Sequence, residues 1–182
     1  MNEFDGITLD KTSNEYLALI GQPKRTPLQV MTHLTTTSTQ ALAANTITQI
    51  TGLNATITPS STTKRVRITV RWNGEHGITP NESIFGIQRG TTDIGSPAAA
   101  GTRNTGIAIV AIGYGAGVND DSTPESCFYT YIDSPSTAAA TTYSATIRNN
   151  TAQTLYNQRT VTDSDLPYME RLTSTIILEE IN

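Results

Sequence analysis

The feature that most constrains this sequence is a stretch of strict alternation between apolar and polar residues. Between Arg65 and Trp72, the apolar residues Val66, Ile68, Val70 and Trp72 occupy every second position, and arginine or threonine stands between them. Successive side chains of a β-strand point to opposite faces of the sheet. The pattern therefore predicts a strand with one face against a core and the other face toward solvent.

Composition extends this prediction to most of the chain. The sequence has 33 threonines and 13 serines among 182 residues, and only 15% of its residues are charged. Threonine is β-branched and favours strands, where its methyl group packs against neighbouring side chains. About eight apolar runs follow Thr46, separated by turns rich in glycine, proline, asparagine, aspartate and serine. This spacing predicts an all-β fold, a jelly-roll-like antiparallel β-sandwich over residues 46–182.

Three local predictions accompany this fold. Residues 46–50 and 53–58 are expected to form two strands on either side of Thr51 and Gly52. Residues 73–81 contain an Asn-Gly pair and are expected to form a turn. Residues 106–114 are apolar on both faces, which indicates a strand buried in the middle of a sandwich or of a trimer.

The first 45 residues have a different character. They contain a weakly helical patch at residues 14–20, an extended proline-containing stretch at 22–27 and a threonine-rich run at 35–39. Each proline discourages a helical conformation in the residue before it. Too few apolar residues gather here to form a core, so residues 1–45 are predicted to be an extended N-terminal arm.

The residues that usually carry catalysis are scarce. The two histidines, His33 and His76, stand near no serine and aspartate at a familiar spacing, and there is no Gly-x-Ser-x-Gly motif. Residues 113–117 are rich in glycine but lack the Lys-Ser/Thr ending of a phosphate-binding loop. The acidic turns at 119–123 and 163–165 lack the closing glutamate of a calcium loop. We therefore predict no catalytic residues, no cofactor and no resident metal.

A basic strand face is the clearest charged feature. It consists of Lys64, Arg65, Arg67 and Arg71. The formal net charge of −4 and the absence of interleaved aromatic residues argue against nucleic acid as its partner. Two interpretations stay open, contact with an acidic neighbour in an assembly and a solvated outer face. No apolar run approaches the roughly 20 residues of a membrane-spanning helix, so no membrane span is expected.

Aromatic residues supply an alternative function. Flat apolar rings suit the C–H face of a sugar, although the same residues also pack in cores. In this alternative, the chain is a lectin-like module that binds host cell-surface glycans through loops around residues 72–81 and 114–124. The candidate contact residues are Trp72, His76 and Tyr114.

Three strand-and-turn motifs carry a resemblance to a known class of proteins. Residues 51–70 contain Gly-Leu, Ile and Pro-Ser-Ser followed by a basic alternating strand, residues 87–95 contain Arg-Gly-Thr before an isoleucine, and residues 174–181 form an apolar last strand. This combination resembles the jelly-roll domains of tailed-bacteriophage virion proteins. The resemblance covers roughly residues 46–182 and includes no catalytic motif.

The resemblance implies a virion structural protein that assembles as a homotrimer, with the apolar run at 107–112 buried at the trimer axis. Because only an arm of about 45 residues precedes the sandwich, it favours a short appendage, either a capsid decoration protein or a small tail fibre. The arm would then dock on another virion protein. The apolar residues predicted to anchor it are Phe4, Ile7, Leu9, Tyr16, Leu17, Ile20, Leu28 and Val30.

Overall fold

The computed structural model describes residues 29–34, 36–78, 82–99, 101–110, 122 and 124–182. This part of the chain forms two antiparallel sheets in a sandwich-like arrangement, which confirms the all-β prediction. Eleven strands are described: β1 (Gln29–Leu34), β2 (Ser38–Leu42), β3 (Thr48–Ile57), β4 (Arg65–His76), β5 (Ile84–Arg89), β6 (Thr92–Ile94), β7 (Ala108–Ile109), β8 (Glu125–Asp133), β9 (Thr141–Arg148), β10 (Gln153–Asn157) and β11 (Ser174–Ile181). The jelly-roll connectivity stays a prediction.

The six-stranded sheet is built around the long strand β4. Along one edge, β4 pairs first with β11, through residues 65–71, and then with β10, through residues 74–76. Along its other edge it pairs with β8 over residues 66–74. Strands β1 and β2 complete this sheet by pairing with β11 and β10. The alternating segment recognised in the sequence is therefore the centre of the sheet.

In the five-stranded sheet, β5 pairs with other strands along both of its edges. Strand β9 pairs along one edge of β5, and the short strands β6 and β7 share the other edge. Strand β3 pairs with the far side of β9. Strands β8 and β7 also bring the two sheets together, because the Cys127 thiol on β8 donates a hydrogen bond to the Ile109 carbonyl oxygen on β7 at 3.4 Å.

The core lies between the two sheets and draws on both. Its side chains are the inward-facing set of each strand, as the period of two requires. Its largest fully buried side chains are Trp72, Tyr143, Phe85, Ile50, Leu53, Ile57, Ile68, Ile87, Ile147, Leu155, Ile176 and Leu178.

The predicted boundary of the N-terminal arm at residue 45 is wrong. Residues 29–34 and 38–42 form β1 and β2 of the six-stranded sheet, because their backbones complete the pairing of β11 and β10. Their sequences carry little apolar signal on their own, and the sheet supplies the partners. Residues 1–28 lie outside the described residues.

The two strands predicted around Thr51 and Gly52 are one continuous strand, β3. Its register against β9 shifts between Gln49 and Asn54, which marks a β-bulge. Gly52 has a φ of 78°, a left-handed conformation that glycine adopts without steric cost. A Cβ atom at this position would also lie 2.8 Å from the Leu34 side chain. The apparent turn is therefore a bulge within a strand.

Two other local predictions need correction. Residues 73–76 continue β4 rather than forming a turn, since β8 and β10 supply hydrogen-bonding partners for their backbone. In the run at 106–114, the described strand is only the two-residue β7, and its Ile109 is exposed rather than buried in the sandwich. Residues 111–114 lie outside the described residues.

Candidate functional site

The basic face predicted from the sequence lies on the solvent side of β4. Arg67 forms an ion pair with Glu179 of β11, with 3.3 Å between Nη1 and Oε2. Arg65 Nε donates to the Asn182 carbonyl oxygen at 3.0 Å, and Lys64 donates to the Asn182 side chain. Arg71 donates to the Thr173 carbonyl oxygen at 3.4 Å. These groups thus tie β4 to the C-terminal strand, and contact with an acidic partner stays a prediction.

The glycan-contact prediction is wrong for Trp72 and His76. Both side chains are fully buried in the core, so neither can meet a sugar in this structure. Trp72 Nε1 donates to the Asn157 side-chain oxygen at 2.8 Å, and the indole packs edge-on against the His76 ring at 5.4 Å between centroids. The alternation that placed Trp72 on the same face as Val70 already indicated this burial. Tyr114 lies outside the described residues.

His76 belongs to a buried polar cluster at the end of β4. The carboxylate of Glu125 lies 3.2 Å from His76 Nδ1 and accepts the His76 backbone N–H at 3.0 Å. The neighbouring Glu75 points to the other side of the strand, where it accepts the Val161 backbone N–H at 2.6 Å. Because strand neighbours face opposite ways, these carboxylates do not converge on one point. Within the described residues, no group of three acidic, histidine or cysteine side chains could hold a metal ion.

A second polar cluster links the two sheets. Asp133 Oδ2 accepts hydrogen bonds from Arg89 Nη1 and from the Tyr143 hydroxyl, each at 2.8 Å. Burial, followed by the hydrogen bond to Asp133, raises the pKa of the Tyr143 hydroxyl. The tyrosine therefore stays protonated and donates to the carboxylate. This arrangement cross-links β5, β8 and β9.

The single cysteine is a packing residue. Cys127 is buried on the inner face of β8, and burial raises the pKa of its thiol to about 12. The thiolate is the nucleophilic form of cysteine, so a thiol with this pKa is unreactive at neutral pH.

The predicted anchoring residues fall almost entirely outside the described part of the chain. Phe4, Ile7, Leu9, Tyr16, Leu17, Ile20 and Leu28 all lie outside it. Val30 is described, and it is half-buried on β1, where it packs against the protein's own core. Val30 is therefore unsuited to anchoring a partner, and this part of the prediction is wrong.

Sequence reasoning missed three exposed apolar side chains on the outer faces of β7 and β8. Ile109 is 73% exposed, Phe128 is 68% exposed and Ile132 is 42% exposed. We call these three residues the β7–β8 flank. A signal was present in the sequence, because residues 128–132 are aromatic or aliphatic on both faces of the strand, with one threonine on the outer face. A strand of this kind needs a covering layer on each side.

Comparisons with known proteins do not assign this chain to a family. No family model matches this sequence, and no curated protein sequence matches it. The likeness to phage virion proteins therefore rests on the three strand-and-turn motifs alone. In the described part of the chain, there is no helix that is long and apolar enough to cross a membrane.

Proposed function

We propose that this chain is a structural subunit of a tailed-bacteriophage virion. In this proposal it assembles as a homotrimer and forms a short appendage on the capsid or on the tail. It works by binding other virion proteins and carries out no catalysis. The all-β sandwich and the three motifs that resemble virion proteins are compatible with this role.

The observation that carries the proposal is the exposed β7–β8 flank. The resemblance assigns the run that contains Ile109 to a trimer axis, and Ile109 is largely exposed in the single chain. Phe128 and Ile132 lie on the outer face of β8 in the six-stranded sheet, whereas Ile109 lies on the outer face of β7 in the five-stranded sheet. The flank therefore exposes apolar side chains on both outer faces at the edge where β7 and β8 meet. Fully burying an aliphatic or aromatic side chain contributes about 1.5–3 kcal/mol. A second copy of the chain is the occupant that we assign to this flank.

We assign the anchoring role to residues 1–28, because residues 29–34 and 38–42 are strands of the sandwich. Seven of the eight predicted anchoring residues lie in this segment. Three copies of one weak anchor on a trimer bind together, since linked binding events raise the effective concentration of each anchor. Deleting residues 1–28 leaves β1 intact and is therefore the appropriate truncation.

The trimer is tested by light scattering coupled to size-exclusion chromatography on the full-length chain. We expect a mass near three times 19.6 kDa. The Ile132→Asp variant should reduce this mass to that of one chain, because it introduces a charge into the buried interface. Leu166→Asp is the matched control, since Leu166 is also 42% exposed but lies between β10 and β11. A monomeric wild-type protein, or an equal effect of both variants, would contradict the proposed interface.

The virion role is tested separately. Mass spectrometry of purified phage particles from the source of the sequence should detect peptides from this chain at a stoichiometry divisible by three. Particles assembled with the chain lacking residues 1–28 should contain no such peptides, while the truncated chain itself stays a soluble trimer. Incorporation of the truncated chain would overturn the anchoring role.

A further inference from the structure

The outer face of the five-stranded sheet carries a shallow groove, and one of its lining residues, Ile84, is directly opposite Ile109 of the β7–β8 flank. Its floor includes two directly opposed cross-strand pairs, Ile84 with Arg148 and Gly86 with Thr146. Its far side is formed by Asp93 of β6 and by the segment between β6 and β7. The groove is open to solvent, and its cavity volume is only about 10 Å³, which is room for about one water molecule. A larger ligand would therefore lie across the groove rather than enter it.

Arg148 is the unusual residue in this groove. Its side chain is half-buried, and its Nε atom is shielded from solvent and meets no hydrogen-bond acceptor in the described part of the chain. By contrast, Arg67, Arg89 and Arg159 each hold a carboxylate of the protein. Arg148 forms no such ion pair with any described residue. A guanidinium group is a planar fork of donors that fits a carboxylate, so Arg148 points to an anionic ligand.

The other groups in the groove suit a polyhydroxylated ligand. Ser96, Thr105 and Thr146 bring hydroxyl groups to it, and Asp93 brings a carboxylate. Asp93 Oδ1 already accepts a hydrogen bond from Gln88 Nε2 at 2.9 Å, which holds the carboxylate in place. Its remaining lone pairs can accept hydrogen bonds from ligand hydroxyls. Asp93 and Arg148 stand on opposite sides of β5, so one can bind hydroxyls while the other binds an anion.

Two glycines, Gly86 and Gly106, allow close packing at the floor of the groove. A Cβ atom at Gly86 would approach the Thr146 hydroxyl to 3.0 Å, and one at Gly106 would lie 2.1 Å from the Ile84 side chain. Glycine at these positions therefore lets the segment before β7 and the side chain of Thr146 pack closely against β5. Ile84 adds a small apolar surface beside Arg148, which suits the C–H face of a sugar ring.

We propose that this groove binds an acidic sugar residue, with its carboxylate on Arg148 and its hydroxyls on Asp93 and the neighbouring hydroxyl side chains. A uronic acid has both kinds of group on one ring. This binding site does not depend on attachment to a virion, and it lies beside the proposed trimer contact, because Ile84 is directly opposite Ile109. It also replaces the buried Trp72 and His76 as the place where the protein would meet a glycan.

The test is saturation-transfer NMR on the full-length protein, with sodium glucuronate, sodium galacturonate, glucose and sodium acetate as probes. We expect saturable binding of at least one uronate. Acetate, which lacks the hydroxyls, and glucose, which lacks the carboxylate, should each bind about tenfold more weakly, since hydrogen bonds of this strength account for roughly a factor of ten in affinity. Arg148→Met should weaken the uronate binding by about tenfold. Arg67→Met is the matched control, because it removes the same charge from the other sheet and should leave binding unchanged.

A second variant guards against a folding defect in Arg148→Met. Ser96 is exposed at the rim of the groove, so Ser96→Asp should preserve the fold and still reduce uronate binding through charge repulsion. The proposal is overturned if neither uronate gives saturable binding. It is equally overturned if acetate binds as tightly as the uronates, which would indicate a simple anion site, or if Arg148→Met and Ser96→Asp both bind like the wild type.

Discussion

The two halves of β4 differ in how the protein surrounds them. In the outer half, residues 65–71, Val66, Ile68 and Val70 are fully buried while Arg65 and Arg67 face solvent. In the inner half, residues 72–76, the side chains of Trp72, Glu75 and His76 and the backbone at Gly74 are all buried. The strand is continuous, but only its outer half has a face that is exposed to solvent.

The difference arises where β4 exchanges one neighbour for another. Near Asn73, β11 ends and β10 takes its place along the same edge. Between these two strands, the Ser174 hydroxyl takes the place of a backbone partner. It accepts the Asn73 backbone N–H at 2.9 Å, and Gln158 Nε2 donates to it at 2.8 Å. The outer half is thus stabilised mainly by apolar burial on one side. The inner half depends on close backbone contact and on satisfied buried polar groups, so substitutions there should cost more.

The largest expected effect comes from Gly74→Ala in the inner half. A Cβ atom at this position would lie 2.1 Å from the Tyr156 carbonyl oxygen and 2.7 Å from the Trp72 ring, so the backbone of β10 must move. We expect the free energy of unfolding to fall by about 3 kcal/mol, at the upper end of the usual overpacking cost. Urea denaturation followed by Trp72 fluorescence measures this change.

The matched control is Thr69→Ala in the outer half. Thr69 lies on the solvent side of β4, where its hydroxyl is 3.2 Å from that of Thr130. We expect this variant to lose less than about 1 kcal/mol, because the site is not fully buried. Equal losses for the two alanine variants would show that the halves of β4 do not differ in the way described above.

The same contrast explains how far the sequence predicts the fold. Strict alternation identified the outer half of β4. A strand with one face toward solvent and the other toward the core has apolar residues at every second position of its sequence. After Trp72, the inner half reads Asn-Gly-Glu-His, and its Asn-Gly pair is typical of a turn. Its strand conformation depends on β10, on β8 and on Glu125, all of which are distant in sequence. Tertiary contacts therefore overrode the local signal.

The candidate sites divide along similar lines. Alternation already placed Trp72 on the core face, so its burial was predictable and its assignment to a glycan loop conflicted with that pattern. The groove at Arg148 was not predictable, because it requires the register that sets Gly86 opposite Thr146 and Ile84 opposite Arg148. Nor could the sequence indicate that the Arg148 Nε atom is shielded from solvent without a hydrogen-bond acceptor in the described structure.

A smaller effect should follow from Glu125→Gln, which tests the polar part of the inner half. Glu125 Oε2 accepts the His76 backbone N–H and also lies within hydrogen-bond distance of the His76 ring. An amide lacks the charge and one of the two acceptor oxygens. We expect a loss of about 1–2 kcal/mol in the free energy of unfolding, the usual cost of weakening a buried hydrogen bond to a charged group.

Arg67→Gln is the corresponding change in the outer half, since it also removes one charge from an ion pair. Because the Arg67–Glu179 pair is exposed to solvent, its loss should cost no more than about 1 kcal/mol. Chemical denaturation of both variants at several salt concentrations distinguishes the two cases. A cost for Arg67→Gln that equals that of Glu125→Gln would contradict the role of burial.

The smallest effect is expected at Glu180 of β11, which pairs with Val66 in the outer half of β4. Its carboxylate accepts hydrogen bonds from the Ser60 hydroxyl at 2.6 Å and from the Ser60 backbone N–H at 2.5 Å. Desolvation alone would raise the pKa of Glu180, but these hydrogen bonds and the charge of Lys64 outweigh it and lower the pKa below its usual value.

A carboxyl group whose pKa is lower in the folded state stabilises the fold at pH values above its unfolded pKa, which is about 4.3 for glutamate. This contribution is lost as the pH falls through the lower, folded pKa. Wild type should therefore be slightly more stable than Glu180→Gln at pH 7, and the difference should shrink as the pH falls below the unfolded pKa and then through the folded pKa. Urea midpoints measured for both proteins across this range give the difference directly, because the other titrating groups are common to both. A difference that does not change with pH would mean that the Ser60 contacts stabilise the amide as well as the carboxylate, and that charge contributes nothing measurable to the outer half of β4.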